Sequence, residues 1–435
     1  MVNTQKNDLF EVVERSWLGN FPDHFSFEVG LSGGIDSIVM FHIMWRLSQK
    51  YDFKLKAVHI HHGLQSQANE WVDFCTTICH GYNVPLRVEY VKVNINSPLG
   101  IEAEAREQRY DVFKKSKQSV VVLAHHRDDQ IETFLLAMLR GGGLRGMVSM
   151  PVVRKLKPSN IFLWRPLLSS SKIQIEQYAI NWCLKYIQDP SNASEDYTRN
   201  WIRKKLLPLI HSKIDFADEH ILQNIVNLQE TLHTIDELAL YDYKNSVDKG
   251  KLSVKSLMKL SPSRAREALI RFLKEHDLGV PRQQSLYAFI DWMNSQPSDF
   301  YEWQLPKGKI YCYDEKIWEW ADSNTLKQKL QTSYFSPLDV AWRECKRGIG
   351  KDFIHGDWFI RPMNKNDTIQ TEVGVQSVLH LLKKSKIPRF IRSQWPVIVN
   401  TSDECVIVVG LRVDVRYQKY DGVVPYIKSL ELYLK

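Results

Sequence analysis

The sequence predicts an α/β protein: a doubly wound, mostly parallel sheet, then a small helical domain and a C-terminal α+β domain. Three observations predict it. Short strand-like runs alternate with longer helical stretches through the first third of the chain. Ser119-Val120-Val121-Val122-Leu123-Ala124 is apolar throughout, as a strand buried on both faces should be. The last ninety or so residues instead alternate as short strands around one lysine-rich helix. At 435 residues, two or three domains are expected, at ~150 residues each. We place them at 1–214, 215–325 and 345–435.

Each element of the first domain follows from its pattern. Phe25-Ser26-Phe27-Glu28-Val29 alternates as a strand, and Ile38 to Leu47 is a buried helix without Gly or Pro. Between them Leu31-Ser32-Gly33-Gly34-Ile35-Asp36-Ser37 makes a tight turn. Two glycines bend the backbone, and the first helix amides with the Ser32 and Ser37 hydroxyls suit a phosphate-sized anion. Lys54–Ile60 is a second strand and residues 68–80 a helix. Pro85–Val93 is a third strand, followed by a helix from Ile101 to about Lys115. Ligands of such sheets bind beyond the carboxyl ends of the strands. That rule selects three turns: the opening one, His59-Ile60-His61-His62-Gly63-Leu64, and His125-His126-Arg127-Asp128-Asp129-Gln130-Ile131-Glu132-Thr133. In the second turn His59 and His61 share a strand face and His62 points away, which suits a polar cluster near a nucleotide better than zinc. In the third, Asp129 and Glu132 lie three apart on the face of a helix expected over 131–140. Helix capping accounts for one or two acids there, but not for the whole set, which suits a metal ion, a substrate ammonium, or both. Arg140-Gly141-Gly142-Gly143-Leu144-Arg145-Gly146 is expected to be a flexible loop, either a lid, a nucleic-acid contact or an ordinary connection.

The totals set bounds. The chain is 44% hydrophobic and 25% charged, which is ordinary for a globular protein. No apolar run is long enough to span a bilayer and no apolar signal core opens the chain, so a cytoplasmic protein is expected. Six cysteines without a Cys-x-x-Cys pair are expected to be reduced thiols. The net charge of +8 is compatible with a polyanionic partner.

With these turns in view, the chain resembles the PP-loop ATP-pyrophosphatase superfamily and, within it, the tRNA(Ile)-lysidine synthetase family. The matching stretches are Ser32–Ser37, His59–Leu64, Glu102–Tyr110, Ala124–Thr133, the glycine run with Arg140 and Arg145, and Arg165-Pro166-Leu167-Leu168. Asp189-Pro190-Ser191-Asn192, Arg199–Arg203 and Leu206-Leu207-Pro208 follow. Two positions depart: Gly-Gly-Gly replaces the more common Gly-Ser-Gly, and Trp201 stands where a polar or basic residue is frequent. The resemblance implies that ATP adenylates the 2-carbonyl oxygen of the wobble cytidine in a tRNA(Ile) with a CAU anticodon. Free L-lysine then attacks through its side-chain amine and AMP leaves, forming lysidine and changing the tRNA from methionine to isoleucine.

The resemblance also implies roles for residues. Ser32, Gly33, Gly34, Ile35, Asp36 and Ser37 bind ATP, with Mg²⁺ at Asp36. Asp129 and Glu132 bind lysine. Asp36, Arg106, His125, Asp129 and Glu132 form the catalytic set, with a carboxylate or His125 accepting the amine's proton. Arg140, Arg145, Arg199, Arg203, Lys383, Lys384 and Lys386 contact tRNA. A homodimer and no membrane partner complete the expectation. Another PP-loop tRNA-modifying enzyme, a thiolase, is the nearest alternative. A non-catalytic tRNA-binding protein is the other, and the presence of Asp36, Asp129 and Glu132 speaks against it. Further along, 216–243, 256–278 and 284–293 have helical spacing, and strands are expected at 358–362, 395–399 and 404–412.

Overall fold

The computed structural model describes residues 8–63, 67–94, 100–157, 159–188, 198–248, 250–295, 300–321 and 339–434. The Asp189–Asn192 stretch, Leu64 and most of the connection after residue 321 lie outside them. The chain divides into two compact units, Met1–His233 and Thr234–Lys435.

The first unit begins with α1 (Leu9–Asn20), β1 (Ser26–Gly30) and α2 (Ile35–Tyr51). It continues with β2 (Lys54–His61), α3 (Ala68–Gly81), β3 (Leu86–Tyr90), α4 (Ile101–Lys114), β4 (Val120–Val122), α5 (Arg127–Leu139) and α6 (Gly143–Met147). Then come β5 (Val153–Leu156), β6 (Ile161–Trp164), α7 (Lys172–Asn181), α8 (Thr198–Trp201), α9 (Leu207–His211) and α10 (Ala217–Asn245), whose last turns pass into the second unit. The sheet order is β3-β2-β1-β4-β6-β5. All neighbours are parallel except the edge strand β5, which runs antiparallel to β6. The doubly wound expectation therefore holds. β4 is buried on both faces: Val120 and Val122 join the core under α1 and α2, and Val121 joins the opposite core with Val112 and Phe113 of α4.

The strand order fixes where a ligand goes. From β1 the chain winds outward through β2 and β3, then returns to place β4 on the other side of β1. The switch point lies between the carboxyl ends of β1 and β4, where the connecting segments part and leave a crevice. The turns at Ser32–Ser37 and at His125–Asp129 border it.

The second unit differs from expectation. Helices over Val254–Leu257, Pro262–Glu275 and Gln283–Asn294 are present. Residues 215–325 are not purely helical, however. They hold a five-stranded antiparallel sheet of Val247–Asp248, Lys251–Ser253, Lys316–Ala321, Gly308–Tyr313 and Phe300–Leu305. Its hairpin turns at Asp314-Glu315, both with φ above +50°, the geometry that right-twisted strands favour but without the usual glycine. Nor does this region close on itself. Tyr311, Trp318 and Trp320 share one core with Trp395, Val397 and Ile407 of the C-terminal strands, so the expected boundary at 325–345 is not a boundary between cores. The C-terminal strands form as expected at Phe359–Pro362, Pro396–Val399 and Cys405–Val408. Among the described residues, no helix is long and apolar enough to cross a membrane.

Candidate active site

The turn after β1 is shaped by its own side chains. Gly33 has φ +90°, and a Cβ there would come within 3.0 Å of Ile187. Glycine is therefore needed twice over, for conformation and for space. At Gly34, the helix N-cap, the nearest atom to an added Cβ is Ser32 Oγ at 3.6 Å, so one side of the turn stays open. Ser37 is buried, and its hydroxyl accepts from the amides of Ser32 and Gly33, both at 3.2 Å, while donating to Gly34 O at 2.9 Å. Its first task is to hold the turn rather than to meet a ligand. Ser32 is exposed, with its hydroxyl donating to Ser37 Oγ at 3.1 Å, and no side chain caps the start of α2. His59 Nδ1 donates to Leu31 O at 2.8 Å and anchors the turn from β2.

Asp36 lies in the first turn of α2. Its Oδ1 is 2.6 Å from Lys172 Nζ and 3.7 Å from His126 Nε2. Lys172 escaped the sequence reading. A signal was available: a lysine at the first position of a helix opposes the helix dipole, so such a cation needs an outside partner.

α5 starts four residues earlier than expected, which brings Asp128 and Asp129 into its first turn. His126 is the N-cap, and Asp129 Oδ2 accepts from its backbone amide at 3.0 Å. Asp129 Oδ1 accepts from Arg199 Nη2 at 2.7 Å. One turn on, Glu132 is fully buried. Its Oε2 accepts from Arg199 Nε at 2.7 Å and from Arg203 Nη2 at 3.0 Å, and its Oε1 from Arg203 Nε at 2.5 Å. Arg199 and Arg203, four residues apart, therefore reach the acids from one helix face. The backbone between α8 and α9 widens into a π-helical turn at Ile202–Leu206, a rare irregularity that concentrates at functional sites. The structure thus joins two sets expected separately, the lysine-binding acids and the tRNA-binding arginines. Nearby charges, His126 and Arg199 foremost, hold the Asp129 carboxyl below its ordinary value against the upward pull of burial.

His125 lies beside this group. Burial first, and the guanidiniums of Arg165, Arg109 and Arg199 after it, push its ring down to about 3, against the pull of Asp129. The ring is neutral at physiological pH. It can accept a hydrogen bond, but it is too weak a base to hold an amine's proton. Arg106 Nη2 donates to the Tyr110 phenol at 3.1 Å on α4. Arg165, which follows β6, is 1% exposed.

The remaining expected residues are dispersed. Arg140 caps the end of α5 and is exposed, and Arg145 lies in α6. The glycine run between them is a tight helix-to-helix turn, not a flexible loop: Gly141 and Gly143 take positive φ, and a Cβ on Gly142 would come within 2.9 Å of Ala137 O. Lys383 and Lys384 end the helix Val378–Lys384, and Lys386 follows; all three are exposed in the second unit.

Comparison with known proteins accords with this geometry. Residues 5–210 match the PP-loop domain family. Over 408 residues the chain is 33% identical to the tRNA(Ile)-lysidine synthase of Neisseria meningitidis serogroup B, covering 91% of this chain and 94% of that protein. It is 30% identical over 410 residues to the Nitrosomonas europaea protein of the same name, covering 91% and 89%. Among solved structures it is similar to the U34-tRNA thiolase NcsA from Methanococcus maripaludis, with 16% identity and a TM-score of 0.43 over 51% of this chain and 78% of that one. The length and evenness of the first two matches carry the conclusion that the chain belongs to the tRNA(Ile)-lysidine synthase family.

Proposed function

We propose that the chain, an ATP-dependent ligase acting on tRNA(Ile), joins free lysine to C2 of the wobble cytidine in a CAU anticodon. One observation carries the reading. The open face of the Ser32–Ser37 turn, Asp36 and the acidic start of α5 form one connected network at the switch point of the sheet, through His126. A triphosphate at the first turn lies beside acids suited to an amine at the second.

In the first step cytidine O2 attacks the α-phosphorus of ATP. The O2–P bond forms, the bridging P–O bond breaks, and the electron pair leaves with pyrophosphate. The turn's free amides and Ser32 hold the phosphates. Asp36, a third exposed and bonded to Lys172 through Oδ1, would offer its other oxygen to a magnesium ion, which binds through one or two carboxylates and the oxygens of a polyphosphate. Such an ion, when bound, neutralises charge on the departing pyrophosphate. In the second step the lysine side-chain ammonium gives a proton to a carboxylate of the crevice, its nitrogen attacks C2, the C2–O2 bond breaks, and AMP leaves with O2. Asp129 receives the ammonium of the amino-acid end. Glu132, fully buried, acts through the two arginines it binds, Arg199 and Arg203. All six cysteines are free, which supports a reducing, cytoplasmic setting.

The test is incorporation of labelled lysine into tRNA(Ile) with a CAU anticodon. It should require ATP and fail when the wobble cytidine is changed to uridine. Sulfur transfer in place of lysine incorporation would overturn the reading in favour of thiolation.

A further inference from the structure

We propose that Arg165, Arg106, Tyr110 and His125 form a subsite for the α-carboxylate of the amine substrate. The proposal rests on lysine being that substrate.

The Arg165 side chain is all but fully buried, yet among the described residues no carboxylate pairs with it. Nη1 donates to the backbone oxygen of Pro151 at 3.0 Å, and the group also bonds the Tyr110 phenol. Nε is buried and has no partner among the described residues. A buried guanidinium ordinarily has a carboxylate or phosphate against it. Here the neighbours are further cations. Arg106 lies 5.3 Å and Arg154 5.5 Å from the centre of the Tyr110 ring, on the open side of the cluster. His125 Nδ1 is a second buried atom without a partner among the described residues. Burial would push the Tyr110 phenol up, but the arginines around it bring it below its ordinary value. The field of this cluster is that of a site built for an anion.

Position selects which anion. Arg165 follows β6 and His125 follows β4, on adjacent strands. His125 lies within the field of both Asp129 and Arg165. An acid-bearing point and a cationic point without a paired carboxylate therefore share one neighbourhood. A free amino acid carries an ammonium and a carboxylate on one carbon, and that head group matches the pair. A phosphate oxygen of ATP or tRNA shares the anionic chemistry but not the adjacent ammonium.

The test uses the full-length protein with lysine and lysinamide, which keeps both amines and lacks the carboxylate. Wild type should prefer lysine by about a hundredfold in kcat/KM. Arg165→Gln should lose about that factor for lysine, lose little for lysinamide, and leave KM for ATP and tRNA within about threefold. Tyr110→Phe, which keeps the ring and removes the phenol between the arginines, should show the same pattern more weakly and covers the case that the Arg165 variant fails to fold. An equal loss for both amines in a folded variant, or a loss confined to KM for ATP or tRNA, would overturn the subsite; the latter would assign the cluster to phosphate. Wild type using both amines equally would overturn the subsite alone. Wild type using neither would overturn the functional reading as well.

Discussion

Two groups of arginines lie at the same crevice and are solved in opposite ways. Arg199 and Arg203 meet Asp129 and Glu132 in a balanced knot of two cations and two anions. Arg165 meets a phenol and a backbone oxygen. Burial pulls both Arg203 and Arg165 down, but for Arg203 the bonds to Glu132 and the charges of Asp129 and Asp36 reverse the sign and hold it above its ordinary value. Arg165, with Arg154 and Arg106 for company, stays below. The balanced group is architecture: removing one member exposes the cost of the others. The unbalanced group is held in place by the fold at a cost, and a ligand offsets that cost.

The contrast is broken most directly at Glu132. Glu132→Gln keeps the shape and removes the charge, leaving two guanidiniums without their acid. Stability should fall by about 3 kcal/mol, the low end for a broken buried pair because Arg203 is half exposed. The urea midpoint reads this, and a loss under about 1 kcal/mol would show that the knot is not structural. Lysine incorporation should fall with it, by about a thousandfold, as expected when preorganised charge at a reacting centre is lost. Arg165→Met should move stability the other way or not at all, by about 1 kcal/mol. A large destabilisation would mean that Arg165 has a structural partner after all. A third measure is pH. The rings of His125, His42 and His62 sit at about 3, 4 and 4 in the folded chain, against 6.5 unfolded. The unfolded chain binds protons the folded rings refuse, so stability should be full above pH 6.5 and fall as pH drops toward 4. His125→Asn should remove about 1.4 kcal/mol per pH unit from that slope. An unchanged slope would show that burial of the ring is not what sets its charge. The smallest effect belongs to solvent-facing cations. Replacing Lys383, Lys384 and Lys386 by serine should leave stability untouched, weaken tRNA binding, and flatten the salt dependence by at most about 3 log units per log unit of salt. Unchanged affinity would reduce that segment to a solvated helix end.

Much of this was legible in the sequence, and for physical reasons. The apolar run at β4 and the glycine turn after β1 are local signals, so strand, turn and helix follow from neighbours in the chain. The acids at 129 and 132 stood out by their helical spacing. What the sequence withheld was pairing across distance. Nothing local says that Arg199 will meet Glu132, sixty-seven residues away, or that Lys172 will meet Asp36. The aromatic strands at 300–321 escaped because their turn, Asp314-Glu315, lacks the residues that usually announce a hairpin. The burial of Arg165 escaped because a lone arginine before proline carries no periodicity.

The ion pair between Lys172 and Asp36 has a chemical consequence. An enzyme that couples an amine to an activated base carries a primary amine of its own, 2.6 Å from the acid beside its phosphate turn. Were that nitrogen free to react, the protein would ligate itself to its RNA. Held against Asp36, that nitrogen is tied to the acid rather than left to swing toward the activated base. Fidelity toward free lysine then begins with an intramolecular restraint, before any competing metabolite is refused.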